Sequence, residues 1–394
     1  MSGRYDLVIV GAGIHGVGIA QAAAACGHRV LVLEQEAIAA GTSSRSSKLI
    51  HGGLRYLEQF DFKLVRECLR ERELLLRIAP TLVHLTPFYI PVYAHTRRRP
   101  WQVRAGLSLY ALLGGLQAHA RFSTLPRNRW DTLQGLDRDG LQAVFRYCDA
   151  QTDDAALTRA VMASASGLGA ELWMPATFEQ ATLHADYCEI NVTCDGTAPC
   201  VQARVLVNAA GPWVSQVAAR ISPALPQPAI DLIQGTHIII DGVVADSIFY
   251  VEAPQDGRAI FIMPWHDHST LVGTTETTFS GDDPARVEAQ PGEEEYLLDV
   301  LQHYFPQASR KVRARFAGVR VLPRGAGGAF RESREILFVP DRPRLPRVLG
   351  VYGGKLTSYR ADAQQAVRYL ADVLPAREPI ADTRELRLGN PELS

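Results

Sequence analysis

The chain has 394 residues, and its 41 Lys and Arg nearly cancel its 42 Asp and Glu, leaving a formal charge of −1. That balance argues against a nucleic-acid partner, which needs a cationic excess on at least one face, and 47% hydrophobic with 21% charged residues excludes disorder. The length suits two domains or one large α/β body with an insertion, and no apolar run approaches the roughly 18 residues needed to span a bilayer.

Tyr5–Val10 is an apolar, β-rich run too short for a helix, and no basic segment or cleavage signal of a secreted protein precedes it. Gly11-Ala-Gly13-Ile-His-Gly16 follows, then small residues through Ala25, with Gly27 where a left-handed helix end is expected. Arg29–Leu33 reads as a second strand with Glu34 at its end. In this order the glycines have mechanical roles. Gly11 makes the tight turn, Gly13 lets the backbone approach a pyrophosphate, and Gly16 lets helix and strand pack closely. Glu34 would accept hydrogen bonds from an adenosine ribose, and its charge argues against a 2′-phosphorylated cofactor. Dinucleotide binding follows, with NAD and FAD both open at this point.

Further along, Asp61 caps an expected helix that runs to Ala79, with Leu64, Cys68, Leu75 and Ala79 on one face and Leu69 and Leu76 beside it. From Thr81 short apolar pieces with prolines mark an excursion out of the first domain. Thr152-Asp153-Asp154 starts another helix, ended by Gly167 and Gly169. Asp195-Gly196 is a hairpin turn, Val205–Val207 a return to a buried strand, and Ile230 to about Phe279 a strand-rich stretch with antiparallel character. Gly353-Gly354 is expected to open a final long helix. The six cysteines (26, 68, 148, 188, 194 and 200) form no Cys-x-x-Cys pair, so reduced thiols in an intracellular protein are expected.

The block Gly41-Thr-Ser-Ser-Arg-Ser-Ser-Lys48-Leu-Ile-His51-Gly-Gly-Leu-Arg55-Tyr56 strongly resembles the segment after the dinucleotide unit in FAD-dependent glycerol-3-phosphate dehydrogenases of the aerobic, quinone-linked type. The resemblance continues through Val207–Trp213, Gln234-Gly-Thr-His237, Met263-Pro-Trp265, Gly273-Thr-Thr275, Gly318-Val-Arg320 and Gly353-Gly-Lys355-Leu-Thr357, in the family's order and over nearly the whole chain. It implies an α/β (α+β) flavoprotein: a Rossmann-like FAD-binding domain of the amino-acid-oxidase-like group with an inserted antiparallel-sheet substrate domain. The expected division is 1–80, 145–225 and 330–380 for FAD, 81–144 and 226–329 for the substrate or cap domain, and 381–394 as tail. The implied reaction oxidises sn-glycerol 3-phosphate to dihydroxyacetone phosphate by hydride transfer to FAD, with electrons passed to a quinone at the membrane surface. Longer members carry a helical C-terminal domain, and the tail from Pro375 to Ser394 resembles the linker that leads to it. A smaller departure is Val321-Leu322-Pro323-Arg324, where the family more often has a proline directly after the arginine that matches Arg320.

The chemistry asks for a base that takes the hydroxyl proton and for cations that hold a phosphate of about −1.5 to −2 charges. By resemblance Arg320 and Lys355 anchor substrate, with Arg55, Tyr56 and Arg258 beside them. His237, on a substrate-domain strand, is the preferred base over His51, which precedes two glycines and is expected against the flavin. Gly11, Gly13 and Gly16 serve the pyrophosphate and Glu34 the ribose. Thr42, Ser43, Ser46 and Ser47 offer donors, Lys48 and Leu49 flank the ring, and His51, Gly52 and Gly211 complete a close approach. Gly353, Gly354, Leu356 and Thr357 present a helix N-terminus to the pyrimidine end, where negative charge develops on reduction. Trp265-His266-Asp267-His268 reads as a polar hairpin turn, and no metal site is expected.

Arg97-Arg-Arg99-Pro-Trp101-Gln-Val-Arg104 and the apolar stretch after it support two readings: an interfacial membrane anchor, or a solvated charge run before a core helix. The expected location is cytoplasmic, with peripheral contact at the inner membrane face under the first reading. Monomer and homodimer both remain open. Two rival functions share the fold: an FAD-dependent oxidase or dehydrogenase of another small hydroxy or amino compound, phosphorylated or not, and a flavin-binding subunit without turnover.

Overall fold

A computed structural model describes residues 4–116, 118–324 and 336–389. The last five residues of the tail and the boundary expected at 329/330 lie outside the described residues.

The apolar run near the N-terminus forms the strand Arg4–Val10. It lies between Val30–Leu33 and Cys200–Asn208 and runs parallel to both. Glu171–Trp173 extends this sheet beside Val30–Leu33, and Val348–Tyr352 pairs in parallel with Cys200–Asn208. Leu7, Val8, Ile9, Val30, Leu31, Val32, Val205, Leu206 and Val207 are all buried, as strands covered on both faces must be. The alanine-rich helix Ile14–Ala25 is buried along nearly its whole length and has no polar face. It packs against the helices Asp154–Gly167 and Tyr359–Tyr369. Gly27 ends it with φ +80°, and His28 N–H reaches back to the Ala23 carbonyl at 3.1 Å. Asp153 caps Asp154–Gly167 by accepting from Ala156 N–H at 2.9 Å. The hairpin expected at Asp195-Gly196 joins Cys188–Cys194 to Cys200–Asn208, with both turn residues at positive φ.

The second sheet is mixed and mostly antiparallel. Ile230–Asp241 pairs with Ser269–Gly273 and, along most of its length, with Val312–Pro323. Val83–Tyr93 pairs with Leu141–Thr152, and Ile248–Glu252 joins these two groups by running parallel to Val83–Tyr93. One face packs Ile238, Phe249, Ile260 and Ile262 against the helix Pro291–Tyr304. The other packs Phe88, Phe145, Ile248 and Met263 against the helices Phe62–Ile78 and Pro100–Leu113. Asp61 caps Phe62–Ile78 as expected, accepting from Leu64 N–H at 3.2 Å. Asp267 and His268, both at positive φ, turn the chain between Ala259–Trp265 and Ser269–Gly273 as the hairpin reading requires.

Two expectations need correction. The boundary at 144/145 falls inside Leu141–Thr152, whose pairing lies wholly in the second sheet, so the chain returns to the first layer at Asp153. The final helix starts at Tyr359 rather than at Gly353-Gly354. Those glycines have φ +74° and +95°, a left-handed backbone that no right-handed helix contains.

A buried ion pair ties the helices to the site. Arg72 Nη1 donates to Asp149 Oδ1 at 2.5 Å, Tyr110 Oη donates to Asp149 Oδ2 at 2.8 Å, and Gly52 N–H points at the Tyr110 hydroxyl at 2.8 Å. Removing one partner of such a pair leaves a buried charge uncompensated. Asp149→Ala is expected to lower stability by about 3–5 kcal/mol, read as the shift in a urea unfolding curve, whereas an exposed control such as Asp131→Ala should move it by under about 0.5 kcal/mol.

Candidate active site

One cavity is lined from both sheets, and the glycine turn after the first strand forms part of its wall. Gly11 has φ +102°, and a Cβ there would lie 2.8 Å from the Ala209 carbonyl oxygen. A Cβ on Gly16 would lie 2.0 Å from the Gly11 carbonyl oxygen, so the first helix can approach the turn only without a side chain. Gly13 faces Ser43, whose Oγ accepts from Ile14 N–H at 2.9 Å. The helix has no side-chain cap and no acid in its first turn, so its positive end is left for an anion. Glu34 lines the same wall. Its carboxylate is oriented by Ala12 N–H at 2.8 Å and Glu36 N–H at 3.0 Å.

The serine-rich block also lines the cavity. Thr42 Oγ1 donates to the Val319 carbonyl at 2.6 Å, and Ser46 N–H donates to Asp154 at 2.9 Å. Ser47 Oγ lies 3.0 Å from His237 Nε2. Leu49, His51, Gly211, Gly353, Gly354, Leu356 and Thr357 also line the cavity, and His51 N–H meets Thr357 Oγ1 at 3.2 Å. Gly354 leaves room for His15, whose Nε2 would lie 2.3 Å from a Cβ there. His15 in turn lies 3.3 Å from Asp362.

Lys355 and Arg320 stand on the cavity wall with Tyr56 and His237. The Lys355 ammonium is buried, has no hydrogen-bond partner among the described residues, and sits 3.9 Å from the Tyr56 ring centroid. A buried ammonium held only by a ring face is arranged for an anionic or polar ligand. Arg320 Nη1 lies 3.2 Å from Glu276 Oε1, and Arg55 Nη2 lies 3.6 Å from the same oxygen. Arg258 donates to the Glu276 carbonyl at 2.7 Å. His237 is buried and stacked on Phe316 at 4.9 Å. Burial, then the positive Arg320 and Lys48, pull its pKa down to about 3, so the imidazole is neutral at working pH.

Five of the expected site residues do not line the cavity: Gly16, Lys48, Gly52, Arg55 and Arg258. Gly16 acts from behind, by the close approach already expected of it. Lys48, expected beside the ring, turns away with φ +61° and donates to Asp154 Oδ1 and to the Ser44 carbonyl, both at 2.5 Å. Gly52 packs on Tyr110 and Leu69, where a Cβ would come within 2.4 Å and 2.5 Å. Arg55 and Arg258 instead meet Arg320, which does line the cavity, at Glu276 behind it. Sequence reasoning missed His15, Arg45, Trp213 and Glu276. His15 and Arg45 stood inside quoted motifs, but their partners Asp362 and Ala317 are remote in sequence.

The family model described as FAD dependent oxidoreductase matches residues 6–359. A glycerol-3-phosphate dehydrogenase of Pseudomonas tolaasii is 37% identical over 95% of this chain and 73% of its own length. A D-erythritol 1-phosphate dehydrogenase of Brucella abortus is 35% identical over 94% of this chain and 74% of its own. The X-ray structure of the glycerol-3-phosphate dehydrogenase from Bacillus halodurans complexed with FAD superposes with a TM-score of 0.78 at 25% identity, covering 98% of this chain and 68% of that one. The chain belongs to the FAD-dependent glycerol-3-phosphate dehydrogenase family of oxidoreductases, and its cradle fits FAD: glycines where side chains would collide, an open helix N-terminus and an oriented acid.

Gly16→Ala is expected to abolish FAD retention, read as loss of visible absorbance in the purified protein, and to cost about 1–3 kcal/mol of stability through overpacking. His237 gives a pH prediction with a definite sign. The unfolded imidazole takes a proton near pH 6.5 and the folded one only near 3, so stability is full above 6.5 and falls as pH drops through that window. His237→Asn should remove up to about 1.4 kcal/mol per pH unit of that slope in denaturation curves measured between these limits.

Proposed function

We propose that this member of the family oxidises sn-glycerol 3-phosphate to dihydroxyacetone phosphate and that a quinone takes the electrons onward. The observation that carries the reading is the pairing of a buried, unpartnered Lys355 ammonium with the arginines Arg55, Arg258 and Arg320 gathered at Glu276. Such a set suits a small ligand with a polar reacting end and a dianionic end. Both named dehydrogenase relatives act on phosphorylated polyols, which fits the same demand.

FAD, when bound, supplies the hydride acceptor. The chain's residues do the rest. Arg320 with Arg55 binds the phosphate and fixes the carbon to be oxidised, while Arg258 holds the backbone of the Glu276 segment beside them. Lys355 stabilises negative charge that develops on the substrate oxygen as its proton leaves. His237 Nε2, beside Ser47 Oγ, accepts that proton. Burial first and Arg320 next hold its basicity low, and a phosphate on Arg320 offsets the second of these, so the imidazole becomes a stronger base when substrate is present.

A second element concerns where electrons leave. Among the described residues no helix is long and apolar enough to cross a membrane. The helix Pro100–Leu113 nevertheless exposes Trp101 at 69% and Leu112 at 60%, and Phe60 stands out at 78% on the turn that packs beside it. The arginines before it are largely engaged locally: Arg98 with Glu58 and Glu252, Arg97 with the Asp256 carbonyl, Arg99 with the Ala94 carbonyl. Peripheral membrane contact would therefore rest on the aromatic and apolar side chains more than on charge.

Anaerobic addition of sn-glycerol 3-phosphate to the yellow holoprotein should bleach its visible absorbance within seconds, and reoxidation by a soluble quinone should outpace reoxidation by air. Bleaching by D-erythritol 1-phosphate alone would move the substrate assignment to the longer polyol. Lys355→Met should keep FAD and lower kcat/KM by about a hundredfold or more, the scale set by stripping one charged partner from a buried contact.

A further inference from the structure

One carboxylate residue, Glu276, meets three arginines. Glu276 Oε1 lies 3.2 Å from Arg320 Nη1 and 3.6 Å from Arg55 Nη2, and its side chain is 16% exposed. Arg258 Nη1 holds the carbonyl of the same residue at 2.7 Å, while its Nε faces Asp256 at 3.3 Å. The backbone here is pinned. Thr275 and Thr277, on either side of Glu276, both donate to Glu293 Oε1 at 2.7 Å. The other oxygen of Glu293 accepts from Thr236 Oγ1 at 2.6 Å and Gln234 Nε2 at 2.7 Å. Glu276 is therefore carried on an anchored segment, with its own side chain turned to the arginines and the flanking threonines turned to Glu293.

We propose that Glu276 is a specificity-determining residue: it holds the anion position between Arg55 and Arg320 and yields it only to a ligand stronger than a carboxylate, a phosphate dianion. The inference rests on the reading of these arginines as the substrate's phosphate site. A ligand carboxylate would exchange one single charge for another on the same guanidiniums and gain nothing by displacing Glu276. A phosphate ester brings about −1.5 to −2 charges at neutral pH and three acceptor oxygens for the same forks. The resident carboxylate so discriminates between phosphorylated polyols and hydroxy or amino acids of similar size. It also keeps the guanidiniums neutralised and in place between turnovers.

The test uses the FAD-loaded protein and two probes, inorganic phosphate and L-lactate, titrated while the visible flavin spectrum and the heat of binding are followed. Glu276→Gln keeps the shape and removes the charge. The expected result is a Kd for phosphate about tenfold lower than in the parent protein, with L-lactate changing from no measurable binding to binding in the millimolar range. The sign separates this role from a structural one, because a residue that merely shaped the site would weaken both probes when replaced. Phosphate affinity that is unchanged or weaker in Glu276→Gln overturns the proposal. Should that variant fail to hold FAD, Glu276→Ala is read by the same criterion. A parent protein that does not bleach with sn-glycerol 3-phosphate sinks the functional reading; one that bleaches while Glu276→Gln gains no phosphate affinity sinks this inference alone.

Discussion

The site depends on how closely three stretches of backbone approach one another at the end of the first strand. Gly16 brings the helix Ile14–Ala25 against the Gly11 carbonyl, and Gly11 brings the turn against Ala209, with no room for a Cβ at either contact. Because Cys200–Asn208 is fixed in parallel register to Arg4–Val10, that approach also sets where Gly211 and Trp213 enter the cavity. The helix docks at this distance only because its far side is buried under Asp154–Gly167 and Tyr359–Tyr369. A small-residue helix is thus a packing requirement and a cofactor requirement at once.

Charge organises the rest of the site. Lys48 and Asp154 neutralise each other inside the wall, and Asp154 also holds Ser46 N–H, so the serine-rich block is braced from behind. Lys355 is left without such a partner, and Arg55 and Arg320 share Glu276. The same chain therefore pairs one lysine and leaves another available. His237 is kept neutral first by its burial and then by the positive charges of Arg320 and Lys48.

Much of this was legible in the residues. The strand, glycine turn, small-residue helix and terminal acid announced a dinucleotide cradle because each glycine there answers a local steric demand. The helix beginning after Asp61 and the turn at Asp195-Gly196 were legible for the same reason: capping and left-handed turns are decided within a few residues. The final helix was placed too early because paired glycines also suit a helix N-terminus, and only their backbone angles show that they form a separate turn around His15. Lys48 was expected at the ring because its motif neighbours are there. Its positive φ, which the sequence does not reveal, sends the side chain to Asp154, more than a hundred residues away.

The sequence by itself determined the cofactor cradle, the family resemblance and the cationic residues available for a phosphate, since these are written in short motifs whose physics is local. Tertiary structure alone decided which of those residues face the cavity, that Lys355 is unpaired while Lys48 is quenched, and that Glu276 gathers the arginines. Those outcomes depend on pairing between strands far apart in the chain, above all Ile230–Asp241 with Val312–Pro323, and on burial, which sets the strength of every charge in the site. Neither quantity belongs to any residue until the chain has folded around it.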